Sequence, residues 1–203
     1  MKVIILAAGY ATRLYPLTLN TPKPLLPVAG KPMVDHVLDN LAPIPGIDRI
    51  YVVTNEKFAG HFQKWADDYR AKKAKLDFTV VNDHSTDDTN KLGAIGDINY
   101  VLTTQKVDDD IIVVAGDNLF SDKLGAFGEV CRQHNAPVLA LYDVGDLEQI
   151  KKYNSITVDA ESRITFFEEK PKNPVSTLTG IALYYYPKSS LPLIRQAAQA
   201  GTE

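Results

Sequence analysis

The first residues with types and spacing suited to chemistry are Ala7-Ala8-Gly9-Tyr10-Ala11-Thr12-Arg13-Leu14, at the end of the apolar run Val3–Ala8. Small residues let backbone N–H groups approach an anion closely. Arg13, and Lys23 in Lys23-Pro24, add two fixed cations. Together these make a phosphate cradle, or else an ordinary strand-to-loop turn with two surface cations. The loop is not a dinucleotide fingerprint, because Ala11 stands where a second glycine belongs. It is not a P-loop either, because no Gly-Lys-Ser/Thr follows at the required spacing. A second feature is Asp117 in Gly116-Asp117-Asn118, directly after the apolar run Ile111–Ala115. A carboxylate left unpaired at the end of a buried strand is costly. Asp117 is therefore either a turn carboxylate capping the next helix or a hard oxygen ligand. The ion would be Mg²⁺, which binds through one or two carboxylates plus phosphate oxygens. A third feature, Glu168-Glu169-Lys170-Pro171, is either a solvated charge run or a carboxylate and cation facing a phosphorylated polyol.

The elements that must position these residues alternate. Lys2–Ala8, Arg49–Thr54, Leu76–Val81, Ile111–Ala115 and Val138–Tyr142 read as strands, rich in β-branched residues. Between them, Pro32 opens a helix whose apolar face is Met33, Val34, Val37, Leu38 and Leu41. Phe58, Phe62, Trp65 and Tyr69 step at helical spacing and read as core. Leu92, Ile95, Ile98, Val101 and Leu102 form another helix, and Lys123–His134 a further one. Arg70, Lys72, Lys73 and Lys75 read as the solvated C-terminal end of the aromatic helix, where cations suit the dipole. This alternation implies an α/β fold: a doubly wound, mostly parallel sheet with helices on both faces. Ser155–Val158, Ile164–Glu168 and Leu178–Tyr185 then follow as strands without long helices between them. They suggest a small antiparallel annex on the same sheet edge, before a last helix over Ser189–Ala200. In an open α/β sheet the ligand sits outside the carboxyl ends of the strands. The Gly9 loop and Asp117 both fall there, so cradle, cations and carboxylate describe a nucleoside triphosphate site.

Composition narrows the alternatives. The 203 residues, 45% of them hydrophobic and 23% charged, supply ample core and no self-repelling tail. A net charge of -3 argues against a broad nucleic-acid surface. The single cysteine, Cys131, excludes an internal disulfide scaffold and makes a reducing cytoplasm the expectation. Val3–Ala8 is too short to span a bilayer, so no membrane partner is expected. A homo-oligomer is compatible with all of this. Residues 1–34 carry Lys2, Arg13, Lys23 and Lys31 before the first acid, Asp35, which suits a polyanion at the N-terminal loop or a chance distribution. Acids gather later, at Asp87 and Asp88 and at Asp108, Asp109 and Asp110. His36, His61, His84 and His134 show no metal-ligand spacing and read as structural or surface groups, and Cys131 as a small buried residue.

LAAGYATRLYPLT followed by TPKPLLPVAGKPMVDH resembles the signature of sugar-1-phosphate nucleotidyltransferases, nearest to glucose-1-phosphate thymidylyl- and uridylyltransferases. VVAGDNLF, FFEEKP and TGIALYYYP follow in that family's order, so the resemblance covers essentially the whole chain. It implies a Rossmann-like, GT-A-like nucleotidyltransferase fold. It also implies the reaction of dTTP or UTP with a sugar 1-phosphate to give a nucleotide sugar and pyrophosphate, with Mg²⁺. By the same resemblance, Leu6, Ala8 and Gly9 line the nucleotide, Arg13 neutralises the leaving pyrophosphate, and Lys23 the α-phosphate region. Asn82 and Gly93 face the base, and Asp117 holds the metal. Tyr153, Asn154, Glu169, Thr179 and Gly180 contact the sugar, and Lys170 its phosphate.

Three departures qualify the match. Ala11 replaces a glycine common in that loop. Asn82 stands where thymidylyl members often carry Gln, which leaves the base open. The family's second metal-binding Asp would lie beyond Glu203, so the expectation is one catalytic domain over 1–203 that lacks its C-terminal end. Two other functions fit the same motifs: a non-catalytic sugar-nucleotide-binding regulatory subunit, and a cytidylyltransferase acting on a non-sugar phosphate. Arg13, Lys23, Asp117 and Lys170 together favour the enzyme, since a binder needs no cation at a leaving group.

Overall fold

Val3, Ile4 and Ile5 are wholly buried, as are Ile111 to Val114. Strands covered on both faces require such continuous apolar runs, and these runs form the centre of a parallel sheet. The computed structural model describes residues 1–72 and 76–201; Lys73 and Lys75 of the cationic cluster, and Glu203, lie outside them. The chain falls into two compact units, Met1–Val138 with Tyr185–Glu203, and Leu139–Tyr184.

In the first unit β1 (Lys2–Leu6) leads through the two-residue pair β2 (Pro27–Val28) and β3 (Lys31–Pro32) to α1 (Met33–Leu41). Then follow β4 (Arg49–Thr54), α2 (Ala59–Lys72), β5 (Asp77–Asn82), α3 (Gly93–Thr104), β6 (Ile111–Ala115) and α4 (Gly125–Gln133). The second unit takes β7 (Val138–Asp143), the short α5 (Leu147–Ile150), β8 (Asn154–Val158), β9 (Ile164–Glu169) and most of β10 (Leu178–Tyr186). α6 (Leu191–Gln199) returns to the first unit. Among the described residues, no helix is long and apolar enough to cross a membrane.

The first unit's strands lie in the order β5-β4-β1-β6, all parallel. The aromatic stripe is core: Phe58, Phe62, Trp65 and Tyr69 are buried, and Trp65 and Tyr69 pack on Phe78 of β5 with ring centroids 5.6 and 5.3 Å away. The Trp65 indole donates to Asp35 of α1 at 2.8 Å, so the buried ring keeps its polar atom satisfied. The late acids are structural rather than merely solvated. Asp109 pairs with the N-terminal ammonium at 3.0 Å, Asp110 accepts from the Tyr185 hydroxyl and the Lys188 amide, and Asp108 pairs with Lys188.

In the second unit the strand expectation needs one correction. β8 and β9 do not extend the edge of the large sheet; they pair antiparallel with each other as a separate two-stranded sheet. β10 instead lies beside β7. The physical reason is the tight turn that joins them: the Asp159 amide donates to the Arg163 carbonyl at 2.9 Å, and the Asp159 carboxylate accepts from the Glu161 and Arg163 amides at 3.0 and 2.8 Å, which folds the two strands onto each other.

Candidate active site

The strand order reverses at β1. The chain runs outward through β4 and β5, then returns to the other flank of β1 as β6. Such a switch point is where open α/β sheets leave a crevice at their carboxyl ends. Register places Leu6 opposite Ala115, and the Gly116 amide donates to the Leu6 carbonyl at 2.9 Å. The Gly9 loop and Gly116-Asp117 are therefore neighbours by construction. A cavity of about 520 Å³ lies there, lined by Leu6, Gly9, Arg13, Lys23, Asp88 and Asp117 among others.

Two local devices shape the loop. Ala11 adopts the left-handed conformation, φ 48° and ψ 42°, at the start of the tight turn Thr12–Leu14. That conformation is strained for a residue with a Cβ. The wholly buried Thr18 holds it by donating its hydroxyl to the Ala11 carbonyl at 2.7 Å. Gly116 answers a close approach: a Cβ there would lie 3.1 Å from Ile5 and 3.2 Å from Pro24. The absent side chain lets Pro24 sit down on β6, and Pro24 carries Lys23 with it. Lys23 Nζ then reaches Asp117 Oδ2 at 2.6 Å, with both side chains about one-third exposed, at 35% and 33%. Asp117 is thus paired by a cation, and it caps no helix: α4 begins only at Gly125, after Leu124.

The donor set suits Mg²⁺. Asp117 offers hard carboxylate oxygen at the cavity, and Asp88 lines the same cavity. Among the described residues, no group of three or more His, Cys, Asp or Glu side chains could hold a metal. An all-protein cage is not what Mg²⁺ takes; one or two carboxylates with phosphate oxygens and water are. Asp88 was not legible as a site residue, since the polar run Asn82–Lys91 gives one acid no advantage over another.

The remaining nucleotide candidates lie outside that cavity's lining. Ala8 is buried, and its carbonyl accepts from the wholly buried Asn55 amide at 2.8 Å, which ties the loop to the end of β4. Asn82 ends β5; its amide donates to Glu56 Oε2 at 2.6 Å and its oxygen accepts from the His84 amide. The Asn82 bond foremost, and next the His84 ring at 3.3 Å from Oε2, hold the Glu56 carboxyl below its ordinary range. Gly93 opens α3 at φ +74°, a conformation that favours glycine.

The second unit has its own cavity of about 400 Å³. Tyr153, Asn154, Glu169, Thr179 and Gly180 all line it. Asn154 organises them: its side-chain oxygen accepts from Thr179 Oγ1 at 3.0 Å and from the Gly180 amide at 2.7 Å. Gly180 packs closely, since a Cβ would lie 3.0 Å from the end of the Leu139 side chain. Lys170 is not in the lining. It is exposed, its backbone is left-handed at φ 45°, and its amide donates to the Tyr153 carbonyl at 2.6 Å. The cation that does line the cavity is Lys152. Its position directly before Tyr153-Asn154 was the available signal.

The other titratable groups read as structural. His36 bonds the Val28 carbonyl at 2.8 Å and His61 packs edge-on against Phe58. Cys131 is buried, and burial pushes its thiol up to about 12.

The fold and the switch-point cavity define a class, a parallel α/β protein whose first strand opens into a cavity lined by Arg13, Lys23 and Asp117. The chain belongs to the nucleotidyl transferase family, whose sequence pattern it matches over residues 2–202. It is 30% identical over 198 residues to the bifunctional protein GlmU of Methanocaldococcus jannaschii, covering 97% of this chain and 42% of that protein. It is 29% identical to the UTP–glucose-1-phosphate uridylyltransferase AglF of Haloferax volcanii, covering 92% of this chain and 72% of that one. Among solved structures, a candidate glucose-1-phosphate thymidylyltransferase from Bacillus anthracis in complex with sucrose superposes with a TM-score of 0.81 at 26% identity. The match covers 100% of this chain and 79% of that one. The chain spans half or less of the length of the first curated relatives it matches, 42% and 50%.

Proposed function

We propose that this chain transfers a nucleotidyl group from dTTP or UTP to a sugar 1-phosphate, giving a nucleotide sugar and pyrophosphate. The observation that carries the reading is the Lys23–Asp117 pair facing the Gly9 loop at the β1/β6 switch point. A cation beside a hard-oxygen ligand at the carboxyl end of the first strand supports a triphosphate site.

An oxygen of the sugar phosphate attacks the α-phosphorus in line. The bond to the pyrophosphate oxygen breaks, and pyrophosphate leaves. No protein nucleophile is needed, so the chain's work is positioning and charge neutralisation. Arg13, exposed on the loop, meets the leaving pyrophosphate. Lys23 exchanges Asp117 for the α-phosphate region when the nucleotide arrives. The Gly9 loop presents backbone to the phosphates. Mg²⁺, when held by Asp117, supplies positive charge to phosphate oxygens. Asn154, Thr179, Gly180, Tyr153 and Glu169 take the sugar hydroxyls, and Lys170 or Lys152 the phosphate of that substrate. The AglF and Bacillus anthracis relatives, named for glucose-1-phosphate chemistry with UTP and dTTP respectively, support this choice of substrates.

Pyrophosphate release from each of dTTP, UTP, GTP, CTP and ATP, paired with glucose, N-acetylglucosamine and mannose 1-phosphates, tests the reading. Release is expected with dTTP or UTP and strictly dependent on the sugar phosphate. A folded protein that releases none from any pairing, or releases it equally without the sugar phosphate, refutes it.

A further inference from the structure

Gly9 is an exposed residue between two buried ones, Ala8 and Tyr10. A Cβ on Gly9 would meet nothing within 4 Å, and its backbone lies outside the left-handed region. Neither packing nor conformation therefore calls for glycine there. What the missing side chain leaves is open space at the wall of the 520 Å³ cavity. The residues on either side of that space are held fast. The Asn55 side-chain amide donates to the Ala8 carbonyl at 2.8 Å, and its oxygen accepts from the Phe58 amide at 3.1 Å. Asn55 is wholly buried and cannot turn away without losing both bonds. One residue earlier, the Ala7 amide donates to the Val53 carbonyl at 2.9 Å. On the other side, the Tyr10 hydroxyl donates to the Ser85 carbonyl at 3.0 Å.

Ser85 is itself fixed. Its amide donates to Asp83 Oδ1 at 2.7 Å, and its hydroxyl lies 2.7 and 2.9 Å from the two oxygens of the same carboxylate. The Asp83 amide donates to the Thr54 carbonyl at 2.9 Å, and the Glu56 amide donates to the Ser85 carbonyl at 3.0 Å. Both clamps thus end on three consecutive residues, Thr54, Asn55 and Glu56, where β4 stops. The Tyr10 hydroxyl is not needed to satisfy this network. A carbonyl has two lone pairs, and the Glu56 amide serves one on Ser85, so removing the hydroxyl strands no buried acceptor. We propose that Tyr10 is a positioning residue. With Asn55 on the other side, its hydroxyl fixes the backbone at Gly9, before any ligand arrives, in the conformation that receives the phosphates of the nucleotide. The inference rests on the nucleotide reading of that loop.

A loop ordered in advance binds more tightly, because its ordering cost does not fall on the binding step. The clamps on Ala8 and Tyr10 are bonds between neutral groups, so the backbone at Gly9 keeps its shape while Lys23 exchanges Asp117 for phosphate. Without the hydroxyl, one side of Gly9 is free to move, and part of the affinity for nucleotide is lost. The cavity of the second unit shares none of these residues, so the sugar phosphate does not sense the change.

The test is calorimetry of MgUTP, MgdTTP and glucose 1-phosphate binding to wild type, Tyr10→Phe, Ser85→Ala and the double variant, beside urea unfolding of each. Tyr10→Phe is expected to bind nucleotide about three- to tenfold more weakly, the range for one hydrogen bond. Its affinity for glucose 1-phosphate and its urea midpoint should hardly change. Ser85→Ala frees the carbonyl that Tyr10 holds and should weaken nucleotide binding similarly. The double variant should be no weaker than the weaker single one, because both act through one bond. Wild-type nucleotide affinity in Tyr10→Phe, equal weakening of glucose 1-phosphate, or full additivity of the two substitutions overturns the inference alone. No nucleotide binding by the wild type overturns the nucleotide reading, and the positioning role with it. Should Tyr10→Phe not fold, hydrogen exchange of the wild type decides the matter. The Ala7 and Leu14 amides, bonded to the Val53 and Ala11 carbonyls, are expected to be as well protected without MgUTP as with it. Protection that arises only with MgUTP refutes a loop fixed in advance.

Discussion

The two cavities organise their candidate ligands by opposite means. In the first unit the chemistry sits on a loop and is ionic: Lys23 and Asp117 face each other at 2.6 Å and Arg13 stands exposed beside them. In the second unit it sits on strands and is directional: one Asn154 oxygen gathers the Thr179 hydroxyl and the Gly180 amide. A triphosphate arrives with several charges, and cations on a loop can follow it. Sugar hydroxyls differ only in orientation, and donors fixed on strands discriminate them better than donors on loops. The contrast teaches that charge and selectivity are separable here, and substitutions should separate them.

The largest effect is expected at the ionic end. Arg13→Ala and Lys23→Ala should each lower kcat by about 10²–10³, the usual loss for one preorganised charge contact. Urea midpoints should hardly move, because the Lys23–Asp117 pair is partly exposed and such pairs contribute little. Steady-state pyrophosphate release and urea unfolding check both halves. Next is Gly116→Ala, which pushes a methyl group against Ile5 and Pro24. It should destabilise by about 1–3 kcal/mol through overpacking and weaken nucleotide binding by displacing Lys23, as calorimetry would show.

At the directional end, Asn154→Ala should raise KM for the sugar phosphate and leave that for the nucleotide unchanged. Loss of its two bonds should lower stability by about 1–3 kcal/mol, the range for leaving partly buried donors unsatisfied. Lys152→Ala against Lys170→Ala sharpens the comparison further, since Lys152 lines the cavity and Lys170 does not; the larger rise in sugar-phosphate KM is expected from Lys152. The smallest effect is Ala11→Gly. It relieves about 1–2 kcal/mol of left-handed strain and loses about 0.5–1 kcal/mol to chain entropy. A slight rise in Tm is expected by calorimetric unfolding.

Much of this is legible in the sequence. The parallel strands announced themselves as continuous β-branched runs, and the switch point followed from their alternation with helices. α5 escaped because Leu147–Ile150 is one turn long and leaves no periodicity to read. The antiparallel annex is present, but as the separate sheet β8–β9 and not on the edge of the large sheet, because alternation identifies a strand and not its neighbour; the Asp159–Arg163 turn decides that. In the site, motif spacing brought out Arg13, Lys23 and Asp117. It could not show that Lys23 rests on Asp117, which depends on Pro24 meeting Gly116 across nearly a hundred residues of chain.

The ionic cavity is proposed to hold the nucleotide, and the directional one the sugar phosphate. Calorimetric dissociation constants for MgUTP or MgdTTP and for glucose 1-phosphate, each alone and in the presence of the other, in wild type, Lys23→Ala and Asn154→Ala, test it most directly. A crossed pattern is expected, with Lys23→Ala weakening only the nucleotide and Asn154→Ala only the sugar phosphate. Equal weakening of both ligands by either substitution would contradict it.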